Sequence, residues 1–170
     1  MHPSNTQAAA LGSVQQIAVP PPAHALSTLS HIEYEDAFLL ETGPSRDQTG
    51  EQWARAILEG APIVLQRQLR RGWLALGLKL GSASSDEFVL GWKIVRNTPD
   101  YALLGCRSRF GLPAELLFEP QQDKLLFATF VQQQNPIVRA VWAVIATHHR
   151  RVVTYLLRRA VNREGRALQA

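Results

Sequence analysis

The middle of the chain alternates apolar and polar positions with a period of two, which is the pattern of half-buried β-strands. Four such runs follow one another: EFVLGWKIVRN (residues 87–97), YALLGCRSRF (101–110), PAELLFEP (113–120) and KLLFATFVQQQ (124–134). Short turns rich in Gly, Pro, Asp and Gln separate them. Because connections this short join only antiparallel neighbours, the pattern predicts an antiparallel meander.

One strand and two short helices are predicted ahead of the meander. Residues 31–42, HIEYEDAFLLET, alternate as a strand whose start is half exposed. Thr49 lies three residues ahead of Gln52, the spacing of a capping box, and predicts a helix over residues 50–59. Pro62 suits the first turn of a second helix. The apolar face of that helix consists of Leu65, Leu69, Trp73 and Leu76.

A long helix is predicted after the meander. Asn135 is a good N-cap, Pro136 is a good first-turn residue, and helical spacing continues to about Asn162. At ~1.5 Å per residue such a helix extends for roughly 40 Å, so it has to pack along most of the sheet. Helical spacing places His148 and His149 at the two margins of the apolar stripe. The predicted stripe contains Val141, Ile145, Val152 and Leu156.

The two ends of the chain differ from this periodic body. Residues 1–29 contain no Asp, Glu, Lys or Arg and include three consecutive prolines. They show no sustained periodicity from which to build a core, so they are predicted to be a disordered N-terminal leader. The predicted folded domain spans residues 30–164, and residues 165–170 are predicted to be a flexible C-terminal tail.

Composition is that of one ordinary domain. The chain has 170 residues, of which 46% are hydrophobic, enough for a substantial core. Its net charge of +4 is a weak basic bias without a helix-turn-helix, zinc-finger or RNA-binding signature, so nucleic acid is disfavoured as a partner. Cys106 is the single cysteine, no apolar run reaches the ~20 residues that span a bilayer, and the first residues lack a signal-peptide pattern. We therefore expect a cytoplasmic protein.

Five segments of the chain, taken in order, resemble those of a known superfamily. They are YEDAFLLET, EQWARAILEGAP, LGWKI, ATFVQQQNPIVRAVWA and HRRVVTYLLRRA. The resemblance is to an uncharacterised bacterial family within the START-like (SRPBCC) superfamily, which includes lipid carriers and polyketide cyclases, and it covers residues 31–163. It implies an α+β helix-grip fold, in which one long C-terminal helix and two short helices pack on a curved antiparallel sheet. That fold commonly has more strands than the five that periodicity predicts, and residues 78–85 are the candidate for a missing one.

A helix-grip fold implies a cavity between the sheet and the long helix, and apolar clefts of this kind bind small molecules. Alternation selects the strand residues that face the cavity, and the long helix adds residues at its rim. The predicted ligand-binding residues are Leu90, Trp92, Ile94, Leu104, Phe118, Phe127, Thr129, Ile145, His148, His149 and Tyr155. The competing interpretation is that the apolar members of this set are ordinary core.

Catalytic chemistry is weakly indicated. No metal site is expected, because His148 and His149 are adjacent and diverge around the helix, unlike the i, i+4 histidines of zinc-binding helices. No cofactor is expected either. Cys106 is interpreted as an inert buried thiol. Catalytic residues stay unassigned, and the candidates for acid–base work are Tyr34, Asp36, Arg107, His148 and Tyr155.

The leading hypothesis is a protein that binds a hydrophobic small molecule, such as a lipid, polyketide or aromatic metabolite, in the internal cavity. An alternative is an enzyme of cyclase or dehydratase type that uses the same pocket. A third hypothesis is a basic surface module for membrane or nucleic acid, in which the C-terminal arginines contact an anionic membrane peripherally. The first two need the same shaped pocket, so sequence does not separate them.

Overall fold

The computed structural model describes residues 11–43 and 47–167, with side chains described as far as Arg163. The fold is α+β, as predicted, and has a helix-grip-like layout. Its elements are β1 (Val14–Ile17), α1 (Pro21–His24), β2 (Tyr34–Glu41), α2 (Gly50–Leu58), α3 (Ile63–Ala75), β3 (Phe88–Val89), β4 (Trp92–Asn97), β5 (Ala102–Cys106), β6 (Ala114–Pro120), β7 (Lys124–Val131) and α4 (Pro136–Ala167). The seven strands form one antiparallel sheet in the order β1-β2-β7-β6-β5-β4-β3.

The predicted meander is confirmed, with one division that the periodicity missed. Strands β4 to β7 pair in succession, and β2 closes onto β7. The run over residues 87–97 is two strands, because a tight turn at Leu90 and Gly91 folds β3 back onto β4. Both turn residues have positive φ, 48° and 95°, which is a conformation that a leucine rarely adopts and a poor turn signal in sequence.

The prediction that residues 78–85 supply a missing strand is wrong. Within that segment the structure has a single bridge, between Leu78 and Ser108, and no strand. The strands beyond the five predicted are β3, created by the turn at Leu90, and β1, which comes from the N-terminal segment.

The two short helices follow the sequence signals. Thr49 and Gln52 form the predicted capping box at the start of α2. The start of α2 lies against the sheet so closely that a β-carbon at Gly50 would be 2.4 Å from the backbone nitrogen of Ala102. Helix α3 buries no residue completely, and it packs on the core through its predicted face of Leu65, Leu69, Trp73 and Leu76.

The long helix α4 begins as predicted and ends later. The side-chain oxygen of Asn135 accepts a hydrogen bond from the backbone N–H of Val138 at 3.0 Å, which is the expected cap. The helix continues to Ala167. Residues 165–167 are therefore helical rather than a flexible tail, and residues 168–170 lie outside the described residues.

The face that α4 turns to the sheet differs from the predicted stripe. Of the predicted stripe, Leu156 is buried, Ile145 and Val152 are half-buried and pack on the core, and Val141 is exposed. The other buried positions of the helix are Val138, Trp142, Ala146, Val153, Leu157, Ala160 and Val161. The first half of the helix has apolar residues on nearly every side, so its spacing alone does not select the buried face.

The prediction of a disordered leader is wrong for residues 11–29, and residues 1–10 lie outside the described residues. Strand β1 pairs with β2 over four residues. The chain after β1 crosses the face of the sheet opposite α4. It covers there a second apolar cluster made of Ala23, Ala37, Leu103, Leu117, Leu126, Ala128 and Phe130, with Ile17, Val19, Leu26, Leu29 and Ile32 packed against it.

A buried carboxylate anchors this N-terminal segment. Glu115 on β6 accepts hydrogen bonds from the backbone N–H and the hydroxyl of Thr28 and from the hydroxyl of Ser27. The strands carry consecutive apolar residues, such as Leu116 with Leu117, which indicates a sheet buried on both faces. The N-terminal segment covers the sheet face opposite α4, and it does so without any Asp, Glu, Lys or Arg.

Candidate functional site

The strand residues predicted to line a cavity form the main core of the protein. Leu90, Trp92, Leu104, Phe118 and Phe127 are buried in one cluster, against which Ile94 and Ile145 pack. The rings of Phe118 and Phe127 meet edge to face at 5.2 Å, and those of Trp92 and Trp73 at 5.4 Å. None of these predicted residues lines the arginine-rich groove or the smaller space beside it that are described below.

The other four predicted residues separate into three environments. Thr129 and His149 meet at the interface of β7 and α4, with Oγ1 and Nε2 3.2 Å apart. Tyr155 lines an open groove. His148 is exposed on the outer face of α4 and contributes to neither place.

A buried polar cluster forms where α4 crosses β2 and β7. The period of two places Tyr34 and Asp36 on the helix side of β2, and the pairing register sets Asp36 opposite Thr129. The hydroxyl of Tyr34 donates to Oδ2 of Asp36 at 2.6 Å, and Nε2 of His149 lies 3.3 Å from the same oxygen. Helix α4 thus brings an imidazole onto a carboxylate that is 1% exposed.

Aromatic rings surround this cluster, and burial together with nearby charges shifts the pKa of its phenol. Trp142 packs on Tyr34 and on His149, with ring centroids 5.0 and 5.3 Å apart. Burial raises the pKa of Tyr34, Asp36 adds to the rise, and Arg150 opposes it, so the phenol stays a proton donor. The second oxygen of Asp36, Oδ1, is buried and has no hydrogen-bond partner among the described residues. The cluster therefore holds one acceptor oxygen unused.

An open groove of about 900 Å³ lies between the second half of α4 and the edge formed by β1 and β2. We call it the arginine groove. Its lining consists of Val14, Gln16, Phe38, Thr147, Arg150, Arg151, Thr154, Tyr155, Arg158, Arg159, Asn162 and Arg163. Five of these residues are arginines and none is acidic, while Val14, Phe38 and Tyr155 add apolar surface. A smaller space of about 630 Å³ adjoins Gln16 where β1 ends.

Among the described residues, no carboxylate forms a salt bridge with most of the groove arginines. No salt bridge joins Arg150, Arg151, Arg158 or Arg159 to a carboxylate of the described residues. Arg163 donates to the backbone oxygen of Gly60 at 2.7 Å. Arg150 borders both the groove and the buried cluster, because it lines the groove and also lies close enough to the Tyr34 hydroxyl for its charge to lower the pKa of that group.

Sequence reasoning missed the groove for two identifiable reasons. The arginines recur at positions 150, 151, 158, 159 and 163, a spacing that also suits a solvated helix face. The facing wall comes from Val14 and Gln16, which belong to the segment predicted to be disordered. Recognising an edge strand in that segment would have supplied the second wall, and the arginines would then have been predicted to line a groove.

Cys106 is a buried thiol that donates to the backbone oxygen of Lys79 at 3.3 Å. Burial raises its pKa to about 11, so it is a protonated, poorly nucleophilic group at neutral pH. Over residues 11–43 and 47–167 no cluster of three His, Cys, Asp or Glu residues is arranged to hold a metal ion. Within the same residues, none of the helices combines the length and the apolar character needed to span a bilayer.

The chain matches no protein-family model, no curated protein and no solved structure. Any function therefore has to be argued from the groove and the cluster themselves, since a shared layout does not determine activity.

Proposed function

We propose that the protein binds a small amphipathic anion in the arginine groove. The ligand would be a molecule with a hydrophobic part and a phosphate, sulfate or carboxylate group. The observation that carries the proposal is the groove lining itself, which joins five arginines and no acidic residue to apolar surface from Val14, Phe38 and Tyr155. A lipid or another hydrophobic metabolite with an acidic group fits this description.

The charge of the groove favours an anion for a physical reason. Several guanidinium groups in one concavity repel one another, and no carboxylate of the described residues offsets Arg151, Arg158 or Arg159. An anionic group relieves that repulsion and accepts forked hydrogen bonds, which guanidinium groups make to phosphate and carboxylate in pairs.

The apolar side chains of the groove select the rest of the ligand. Phe38 and Val14 come from the two strands, and Tyr155 adds an aromatic ring from α4. A hydrophobic moiety that covers the exposed parts of Val14 and Tyr155, above the buried ring of Phe38, gains about 25 cal/mol for each Å² of apolar surface removed from water. The hydrophobic ligand expected from the fold class is thus proposed to bind here, beside the core. The proposal includes a cytoplasmic location, which suits a single free thiol.

The test is a calorimetric titration of the protein with octyl phosphate, at concentrations below those at which octyl phosphate forms micelles. The double variant Arg158→Gln/Arg159→Gln is expected to bind at least about tenfold more weakly, because each charge-assisted hydrogen bond contributes about 1.5–3 kcal/mol. The variant Lys93→Gln/Arg96→Gln removes the same charge from exposed positions on β4 and should bind as the native protein does. Equal affinities for both double variants would refute the proposal.

A second candidate function is acid–base catalysis on the bound ligand, of the cyclase or dehydratase type. The observation that favours it is the pair of His149 and Asp36, together with the unused Oδ1 of Asp36, next to the groove residue Arg150. In this reading His149 takes a proton from the substrate, and the Asp36 carboxylate stabilises the imidazolium that results.

Turnover of a co-purifying ligand, followed by mass spectrometry, tests this candidate. His149→Ala is expected to abolish turnover, whereas His148→Ala, the exposed neighbour on the same helix, should leave it unchanged. Undiminished turnover by the His149 variant would exclude this catalytic role.

A further inference from the structure

Exposed aliphatic and aromatic side chains gather around the first half of α4, whereas the arginine groove lies along its second half. Phe110 is 58% exposed, Ile137 is 75% exposed and Val144 is 81% exposed. Leu74 and Val141 are also exposed. We call these five residues the apolar rim. Exposed apolar residues gathered in this way mark a surface that binds a membrane or another protein.

The members of the apolar rim are neighbours in the fold. Phe110 lies in the β5–β6 loop, and its backbone oxygen accepts a hydrogen bond at 2.9 Å from Asn135, just ahead of α4. On its other side, the Phe110 ring lies so close to Gly77 that a β-carbon there would be 2.5 Å from it. Phe110 therefore lies between the end of α3, which carries Leu74, and the start of α4, which carries Ile137.

The outer face of α4 changes character along its length. Ile137, Val141 and Val144 are spaced by four and three residues, so they follow one line on the helix surface. The same spacing continues through exposed residues of a different kind, namely His148, Arg151, Tyr155 and Arg158. One line of the helix is thus aliphatic in its first half and basic in its second half.

The segments that carry the apolar rim contain no acidic residue, and the one acidic residue of α4, Glu164, lies near the far end of that helix. Residues 60–85, 101–114 and 132–163 lack Asp and Glu altogether. Exposed cations lie close to the rim on two of its elements: Arg71 on α3 is one turn from Leu74, and Arg107 and Arg109 precede Phe110 in the loop. An apolar strip bordered by arginines alone is complementary to a surface with negative charges outside and hydrocarbon beneath.

We propose that the apolar rim docks onto an anionic lipid bilayer, with Phe110, Ile137 and Val144 inserted among the headgroups and the flanking arginines paired with lipid phosphates. Apolar burial and attraction to anionic lipid add together at such an interface. This docking does not depend on the ligand proposed for the arginine groove, because the rim and the groove share no residue.

Two other occupants fit the rim less well. A nucleic acid would contact the arginines through its phosphates and would stack its bases on aromatic rings, but the exposed aliphatic side chains of Ile137 and Val144 offer neither interaction. A second copy of the chain would bring two acid-free, basic faces together, and like charges opposed across an interface disfavour association.

The test is co-sedimentation with vesicles of phosphatidylcholine prepared with and without phosphatidylglycerol, at low and at high salt. The native protein is expected to bind the anionic vesicles, and binding should fall as salt rises. The variant Ile137→Ser/Val144→Ser is expected to bind about a hundredfold more weakly, because it removes two inserted side chains. Val95→Ser, an exposed valine on β4, is the matched control and should bind as the native protein does.

Further measurements separate this proposal from the groove proposal. Ile137→Ser/Val144→Ser should keep its affinity for octyl phosphate and its unfolding midpoint, since both positions are exposed. In a protein that already carries Arg158→Gln/Arg159→Gln, the substitutions Ile137→Ser/Val144→Ser should still weaken vesicle binding. Absence of vesicle binding by the native protein, equal binding to neutral vesicles, or unchanged binding by Ile137→Ser/Val144→Ser would each overturn the proposal. Binding to a DNA duplex that weakens equally in this variant would assign the rim to nucleic acid instead.

Discussion

A chain that begins at Ser30 is expected to lose cooperative folding and to aggregate. The deletion removes β1 and uncovers Leu103, Leu117 and Phe130, which the N-terminal segment keeps buried in the native protein. Each large apolar side chain returned to water costs about 1.5–3 kcal/mol, so the loss is comparable with the ~5–15 kcal/mol net stability of a typical domain. The deletion also leaves Glu115 as a carboxylate without the donors of Ser27 and Thr28.

Circular dichroism and thermal unfolding of the truncated chain measure this effect. A chain that lacks only residues 1–10 keeps β1 and the contacts of Glu115, so it is the reference with which the chain from Ser30 is compared. A truncated chain from Ser30 that unfolds cooperatively near the unfolding temperature of this reference would show that the segment is dispensable, as a leader would be.

Phe118→Ala is expected to lower the free energy of unfolding by about 3–5 kcal/mol, the range for removal of a large buried aromatic side chain. Phe118 is 0% exposed and packs edge to face on Phe127 in the main core. Because the space between sheet and helix is occupied here by side chains, the substitution creates a void rather than enlarging an existing cavity. Urea unfolding at equilibrium measures the loss.

Phe110→Ala provides the control for this substitution. It removes the same side chain from an exposed loop position, so its effect on unfolding should stay within about 0.5 kcal/mol. A loss below about 1 kcal/mol for Phe118→Ala would mean that the interior has room to spare, and it would restore the internal cavity as the preferred ligand site.

Local sequence signals predicted the elements of this protein well where they are long or carry caps. The strands of the meander, the capping box of Thr49 with Gln52, and the Asn135 cap of α4 all lie where the spacing places them. Each of these features depends on residues a few positions apart. The two-residue strand β3 was missed, because it follows a turn built on Leu90 instead of a typical turn residue.

The candidate site was predicted less completely. Alternation correctly selected the strand residues that face the helices, but most of them proved to be core. The sequence also named Tyr34, Asp36 and His149 separately. Their meeting depends on the register of β2 with β7 and on the rotation of α4 about its axis. Neither quantity is encoded in the spacing of residues along one element.

Periodicity and composition were thus sufficient to establish an antiparallel sheet, two short helices and a long helix that packs on it, because each of these follows from the apolar pattern of one local segment. The arginine groove and the apolar rim arise from contacts between distant segments. Arg158 and Val14, from opposite ends of the chain, line the same groove, and Arg163 reaches Gly60, 103 residues away along the chain. Packing decided which arginines converge and which valines stay exposed. A helix that is apolar on several sides can bury any one of those sides, and contacts with the sheet and the N-terminal segment determine which side of α4 is buried.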